Sequence, residues 1–161
     1  MRRITEKLNG LVILQNKKYI DKRGFFSENY NEKEFFKIIK KKIKFIQDNI
    51  SFSKKSVIRG LHYQTKPFEQ GKLVSVIKGK VFDVAVDIRP GSKYFGKYFS
   101  IELSDTNNRQ FWIPPGFAHG YQALEDSIVK YKTTKFYSPS NEKNISYKDK
   151  EININWPIKK K

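Results

Sequence analysis

From Phe45 onward the chain breaks into short runs of alternating side chains, each closed by turn residues, and this period of two constrains the fold more than any other feature. Phe45 to Ser53 places Gln47, Asn49, Ser51 and Ser53 on one side and Ile46, Asp48, Ile50 and Phe52 on the other. Lys72 to Lys78 and Val81 to Ile88 alternate about Lys78-Gly79-Lys80, which reads as a glycine-centred hairpin. Such pairing brings Lys72, Val74 and Val76 onto the face of Val81, Asp83 and Ala85, and leaves Leu73, Ile77, Phe82, Val84, Val86 and Ile88 as the packed face. Tyr98 to Leu103, Gln110 to Ile113 and Ile128 to Thr134 supply further strands, separated by Arg89-Pro90-Gly91-Ser92 and Pro114-Pro115-Gly116. Strands at spacings of about 8 to 12 residues with Gly/Pro turns predict an all-β sandwich or barrel of jelly-roll type.

The N-terminal part adds a short strand at Gly10 to Leu14 and a turn, Asp21-Lys22-Arg23-Gly24, into a second at Phe25 to Tyr30. Phe26 and Glu28 would share one face of that strand. Asn31, with Glu34 three residues on, is a capping-box-like start for one helix through Phe35, Phe36, Ile38 and Ile39. Its lysine run at 40 to 42 suits the negative end of the helix dipole.

With 161 residues and no internal repeat or linker, one domain over 1–161 is expected. There is no cysteine, so neither a disulfide scaffold nor a thiolate nucleophile is open to it. No apolar run approaches about 18 residues and the first residues lack a hydrophobic signal core, so no membrane span is expected and a cytoplasmic location is. The net charge of +17 invites a nucleic-acid reading. Only six of the 33 basic residues are Arg, however, and Lys is spread over the whole chain, so no phosphate stripe forms and nucleic acid is not expected as a partner. A basic protein equally draws anionic small molecules, and planar bidentate binding of phosphate is a task for Arg rather than Lys, which singles out Arg23 and Arg59.

Val57-Ile58-Arg59-Gly60-Leu61-His62-Tyr63-Gln64 gathers a guanidinium, one of only two histidines and a phenol on a strand interrupted by glycine. Arg59 and His62 are three apart, which puts them on opposite faces of a regular strand. Both can serve one site only if the strand bulges at Gly60. His62 and His119 could also pair as metal ligands, but the chain has no third histidine, and no metal site is expected.

The ordered set Arg23-Gly24-Phe25-Phe26-Ser27-Glu28, Gln47-Asp48-Asn49, Arg59-Gly60-Leu61-His62-Tyr63-Gln64, Gln70-Gly71-Lys72-Leu73-Val74, Asp83-Val84-Ala85-Val86-Asp87-Ile88-Arg89, Pro114-Pro115-Gly116-Phe117-Ala118-His119-Gly120, Tyr131-Lys132-Thr133-Thr134 and Ile154-Asn155-Trp156-Pro157 resembles the dTDP-4-dehydrorhamnose 3,5-epimerases, cupin-like jelly rolls of double-stranded β-helix form. The resemblance covers nearly the whole chain. It implies epimerisation at carbons 3 and 5 of a dTDP-4-keto-6-deoxyhexose without a cofactor, in dTDP-rhamnose biosynthesis, by a homodimer. Inversion beside a ketone needs a base on one face of the sugar, an acid on the other and a cation at the ketone oxygen. By resemblance His62 is the base, Tyr131 the donor and Lys72 the cation, with Asp83 behind Lys72 or His119. Arg23, Phe26, Glu28, Gln47, Asp48, Asn49, Arg59, His119 and Glu142 match substrate-contact positions, and Tyr137 matches the ring that stacks on thymine. Family members extend past Trp-Pro into a segment whose Asp orients the catalytic histidine. Here Ile158-Lys159-Lys160-Lys161 follows, so that segment is expected to be missing and Asp149 is the nearest late substitute. The alternatives are inversion at carbon 3 alone, or a nucleotide-sugar-binding jelly roll without turnover.

Overall fold

The computed structural model describes residues 1–159; Lys160 and Lys161, counted above in the tail, lie outside the described residues. Two antiparallel sheets face one another. The first runs, in spatial order, β1 (Arg2–Lys7), β2 (Leu11–Gln15), β10 (Arg109–Ile113), β7 (Lys72–Lys78), β12 (Ser127–Thr133) and β5 (Gln47–Ser53). The second runs β13 (Glu142–Asn144), β6 (Ile58–Gln64), β11 (Phe117–Ala123), β8 (Lys80–Asp87) and β9 (Tyr98–Ser104). A two-stranded ribbon, β3 (Tyr19–Asp21) with β4 (Gly24–Phe26), stands apart from both. The expected all-β jelly roll is the fold, with one α-helix among the described residues, α1 (Glu32–Ile39), near the N-terminus.

The hairpin expected at Gly79 does not form. β7 pairs with β10 and β12, whereas β8 pairs with β11 and β9, so Gly79, at φ +80°, carries the chain from one sheet to the other. The grouping of side chains survives for a different reason. Val74 and Val76 meet Val81 and Ala85 across the sandwich, with Leu11, Leu103, Phe111 and Val129, and form the central core. The face expected to be the packed one is instead the outside of both sheets, and each outside is covered separately.

Over the six-stranded sheet lies α1. Asn31 caps it as expected, its side-chain oxygen accepting from the Glu34 N–H at 3.2 Å, and Lys40 ends it in the left-handed region at φ 58°. The helix buries Phe35 against Trp112, Phe45, Tyr30 and Leu73. Burying a phenylalanine is worth about 2–3 kcal/mol, enough to dock so short a helix. Over the five-stranded sheet lies the segment from Ile145 to Trp156, packed on Leu61, Val84, Val86 and Ala118. The fully buried Gln122 stitches it down, donating to the Ile158 carbonyl at 2.8 Å and accepting from its N–H at 2.9 Å. Strands β1, β3 and β13 were not anticipated. They are short or edge strands whose partners, rather than their own periodicity, make them strands.

Candidate active site

Cross-strand pairing of β6 with β11 sets His119 opposite His62 and Tyr121 opposite Arg59, so three steps on β6 answer two on β11. The bulge that the Arg59–His62 spacing demands is therefore present, and it turns both side chains to the inner face. Glycine is obligatory there. A Cβ on Gly60 would lie 2.6 Å from the Gly120 Cα, and one on Gly120 would lie 2.6 Å from the Arg59 carbonyl oxygen.

The inner face at this point opens into a cleft of about 330 Å³ between the sheets. From the five-stranded sheet it receives Arg59, His62, Tyr63, Gln64, His119, Tyr121 and Glu142; from the six-stranded sheet it receives Gln47, Asn49, Ser51, Lys72 and Tyr131. Tyr137, from the loop before β13, closes one side. His62 and Tyr131 thus enter one cavity from opposing walls.

Each wall is tied down by hydrogen bonds. His119 is buried and holds the Asp83 carboxylate at 2.9 and 3.1 Å, with Asp83 fully buried beneath it. Arg59 donates to the Ser53 hydroxyl at 2.8 Å and to the Phe52 carbonyl at 2.9 Å, and Ser53 and Ser51 both bond the Tyr121 hydroxyl. Gln64 ties two loops together, donating to the Phe68 carbonyl between β6 and β7 and to the Phe136 carbonyl beside Tyr137, and accepting from the Ser138 N–H at 2.8 Å. Gln47 accepts from the Tyr137 N–H at 2.9 Å. Strand β13 lies along β6 with Asn144 opposite His62 and Glu142 opposite Gln64. His62 Nδ1 meets Asn144 Oδ1 and stands 3.3 Å from a Glu142 oxygen, while the other Glu142 oxygen accepts from the Tyr137 hydroxyl at 2.6 Å.

The electrostatics divide the titratable groups. Burial pushes the Lys72 ammonium down to about 8, against the pull of Asp83 and Glu142, so it is mostly charged at neutral pH. Burial, with Tyr121 and Glu142 nearby and Arg59 opposing, raises the Tyr131 phenol above its ordinary value and keeps it protonated. The Glu142 hydrogen bond raises Tyr137 as well. Among the described residues no three His, Asp or Glu side chains converge as a metal site would require. No helix among them is long and apolar enough to cross a membrane.

Four expected site residues are elsewhere. Asp48 points to the outer face of β5, where Lys130 and Lys132 bind it at 3.2 and 3.0 Å; the period of two that turns Gln47 and Asn49 inward turns Asp48 out. Arg23, Phe26 and Glu28 do not line the cleft of their own chain. They belong to the β3–β4 ribbon and its exit, where Arg23 pairs with Asp21 at 2.8 Å and Phe26 is 67% exposed, and the strand that would align Phe26 with Glu28 stops at Phe26. Asp149 is no substitute orienting group, because its carboxylate caps its own turn by accepting from the Glu151 and Ile152 N–H groups at 2.9 and 3.0 Å. Sequence reasoning passed over Ser51, Ser53, Tyr121, Gln64 and Asn144 as site residues. The alternation of β5 marked the two serines as facing Gln47 and Asn49, and that of β6 marked Gln64 as facing the same way as His62, but nothing local marked Tyr121 or Asn144.

The family model for dTDP-4-dehydrorhamnose 3,5-epimerase matches residues 5–161. The dTDP-4-dehydrorhamnose 3,5-epimerase of Shigella flexneri is 49% identical over 156 residues, covering 96% of this chain and 86% of its own length. Among solved structures, the dTDP-6-deoxy-D-glucose-3,5-epimerase of Legionella pneumophila Philadelphia 1, in complex with dTDP-4-keto-L-rhamnose, superposes with a TM-score of 0.95 at 46% identity, covering 98% of this chain and 84% of that one. The dTDP-4-dehydrorhamnose 3,5-epimerase of Sulfolobus tokodaii gives 0.89 at 50% identity over 99% of this chain and 88% of its own. With the fold, the cleft and the motif order all in agreement, the chain belongs to the dTDP-4-dehydrorhamnose 3,5-epimerase family.

Proposed function

We propose that this protein inverts carbons 3 and 5 of dTDP-4-dehydro-6-deoxy-D-glucose to give dTDP-4-dehydro-L-rhamnose, supplying cytoplasmic dTDP-rhamnose synthesis for surface polysaccharide. The observation that carries the reading is one cleft entered by an imidazole and a phenol from opposite sheets, with the partly buried Lys72 lining it too. His62 removes the proton next to the ketone and the C–H electrons move onto the ketone oxygen. The Lys72 cation stabilises that enolate, with His119 and Asp83 closing the wall behind it. Tyr131 then gives its phenolic proton to the other face, which inverts the carbon, and solvent restores both side chains. A raised phenol pKa suits a donor that must arrive protonated.

At the nucleotide end, Arg59 binds the diphosphate, Tyr137 stacks on thymine, and Gln47 and Asn49 complete the floor. Arg23, Phe26 and Glu28 reach substrate only in a dimer, as part of the other copy's cleft. The ribbon that carries them is apolar yet uncovered, with Ile20 79%, Phe25 64% and Phe26 67% exposed, as a segment that docks on a second copy would be.

Incubation with dTDP-4-keto-6-deoxyglucose in heavy water tests the chemistry. Deuterium is expected at carbons 3 and 5, and at neither in His62→Asn. Deuterium at carbon 3 alone would make it a single epimerase, and none in the wild-type protein would leave a binding protein.

A further inference from the structure

Tyr137 stands on a stretch of chain with little to hold it. Residues 134–138 follow β12 without forming a helix or a strand, and Phe136 and Tyr137 are both exposed, so burial does not fix where the ring at the nucleotide end points. The main chain there is held instead by side chains from the two walls of the cleft. The peptide joining Phe136 to Tyr137 is gripped on both sides, its carbonyl accepting from Gln64 at 3.2 Å and its N–H donating to Gln47 at 2.9 Å. The next N–H, that of Ser138, donates to Gln64 at 2.8 Å. Gln64 therefore binds the backbone on either side of Tyr137, and its remaining N–H goes to the Phe68 carbonyl at 2.7 Å.

Gln64 lines the cleft two residues along β6 from His62, where a contact to substrate is the simplest role for it. Its hydrogen-bond capacity argues otherwise. A side-chain amide has two N–H donors and one oxygen. Both donors of Gln64 are taken by main-chain carbonyls, so none remains for a phosphate or a base carbonyl. Nor can the amide be turned round, because two carbonyls require its nitrogen and the Ser138 N–H requires its oxygen. Gln47 differs, since it spends one N–H on Asn49 at 2.9 Å and retains the other for a ligand. Gln64 is also buried, on a strand flanked by β13 and β11, which makes it a fixed post.

We infer that Gln64 is a positioning residue for Tyr137: it fixes the backbone on both sides of that residue and so presets the ring for the nucleobase before any nucleotide arrives. The inference rests on the reading that a dTDP-sugar fills the cleft with its thymine on Tyr137. It adds that the hold on the base is built by β6, the strand that also carries His62.

Calorimetric titration with dTDP tests it. Gln64→Leu removes all three bonds and is expected to bind dTDP about tenfold more weakly, the scale of one base stacked on an aromatic ring. In turnover the loss is expected in KM rather than in kcat. Placed in Tyr137→Ala, Gln64→Leu is expected to weaken dTDP no further, since the ring through which it acts is gone. A full tenfold loss in the Tyr137→Ala background overturns the inference, and so does a fall in kcat with KM and dTDP affinity intact. Amide hydrogen exchange followed by NMR in the wild type decides the matter should Gln64→Leu fail to fold. The Tyr137 and Ser138 N–H groups are expected to be protected before ligand is added, and fast exchange that slows only with dTDP overturns the inference. A wild-type protein that binds no dTDP would overturn the nucleotide reading, and exchange at those two amides would still decide whether β6 holds the loop.

Discussion

Lys72 carries the most testable residue-scale consequence. It projects from β7 into the cleft, where loss of hydration makes its proton easier to remove, down to about 8. The depressed value means that the cation is present below that pH and disappears above it. If the enolate oxygen needs the ammonium, kcat/KM should fall as pH rises through about 8. Lys72→Met should lose about 10²- to 10³-fold in kcat, the scale of one oxyanion donor, and should lose that alkaline limb as well. Initial rates across pH for both proteins check this. The motif resemblance pointed to His62, Lys72 and Tyr131. That the Lys72 pKa is lowered to about 8 was not legible, because it depends on the protein atoms that crowd the ammonium, and those come from strands far away in the chain.

At the scale of elements, the bulge in β6 is the feature on which the site depends, and its need could be deduced from a spacing. Arg59 and His62 can share a face only if the strand gains a residue between them. The sequence did not reveal that Gly120 is the other half of the device, letting β11 come close enough to pair with the bulged strand. Gly120→Ala should therefore force the two backbones apart at a cost of about 1–3 kcal/mol, lowering the melting temperature and abolishing activity together. Thermal denaturation with a parallel heavy-water assay checks both. Ala at Gly91, where nothing lies within 4 Å, also meets a positive φ of 76° but leaves the cleft alone, and should retain activity. The β7–β8 turn shows the opposite limit. Alternation and a central glycine are identical for a hairpin and for a crossing between sheets, and only the pairing partners β10, β12, β11 and β9 separate the two.

For the molecule as a whole, the ribbon β3–β4 and the edge strand β5 leave apolar side chains in water, Ile50 at 71% and Phe52 at 54% among them. If ribbons complete the clefts of partner subunits, a cleft variant and a ribbon variant should complement each other. Mixing inactive His62→Asn with weakened Arg23→Ala under exchange conditions should yield hybrids with one intact site, and activity should rise above the sum of the separate proteins. No rise would mean that Arg23 does not complete the partner's cleft. The charge of +17 played no visible part in shaping the site, where Arg59, Lys72, Asp83 and Glu142 act as individuals.

Period-two alternation between Gly/Pro turns was enough to make this chain a two-sheet β protein, because that pattern has few other ways to bury one face of every strand. The ordered motifs were enough to name its family, and the capping residue Asn31 to start its helix. Which strands share a sheet, which side of each is the core, that Asp48 faces away while Glu142 meets His62, and that the ribbon stands clear of its own cleft were decided only by the tertiary structure. Each of these depends on pairing between segments distant in the chain, and local propensity carries no record of a partner.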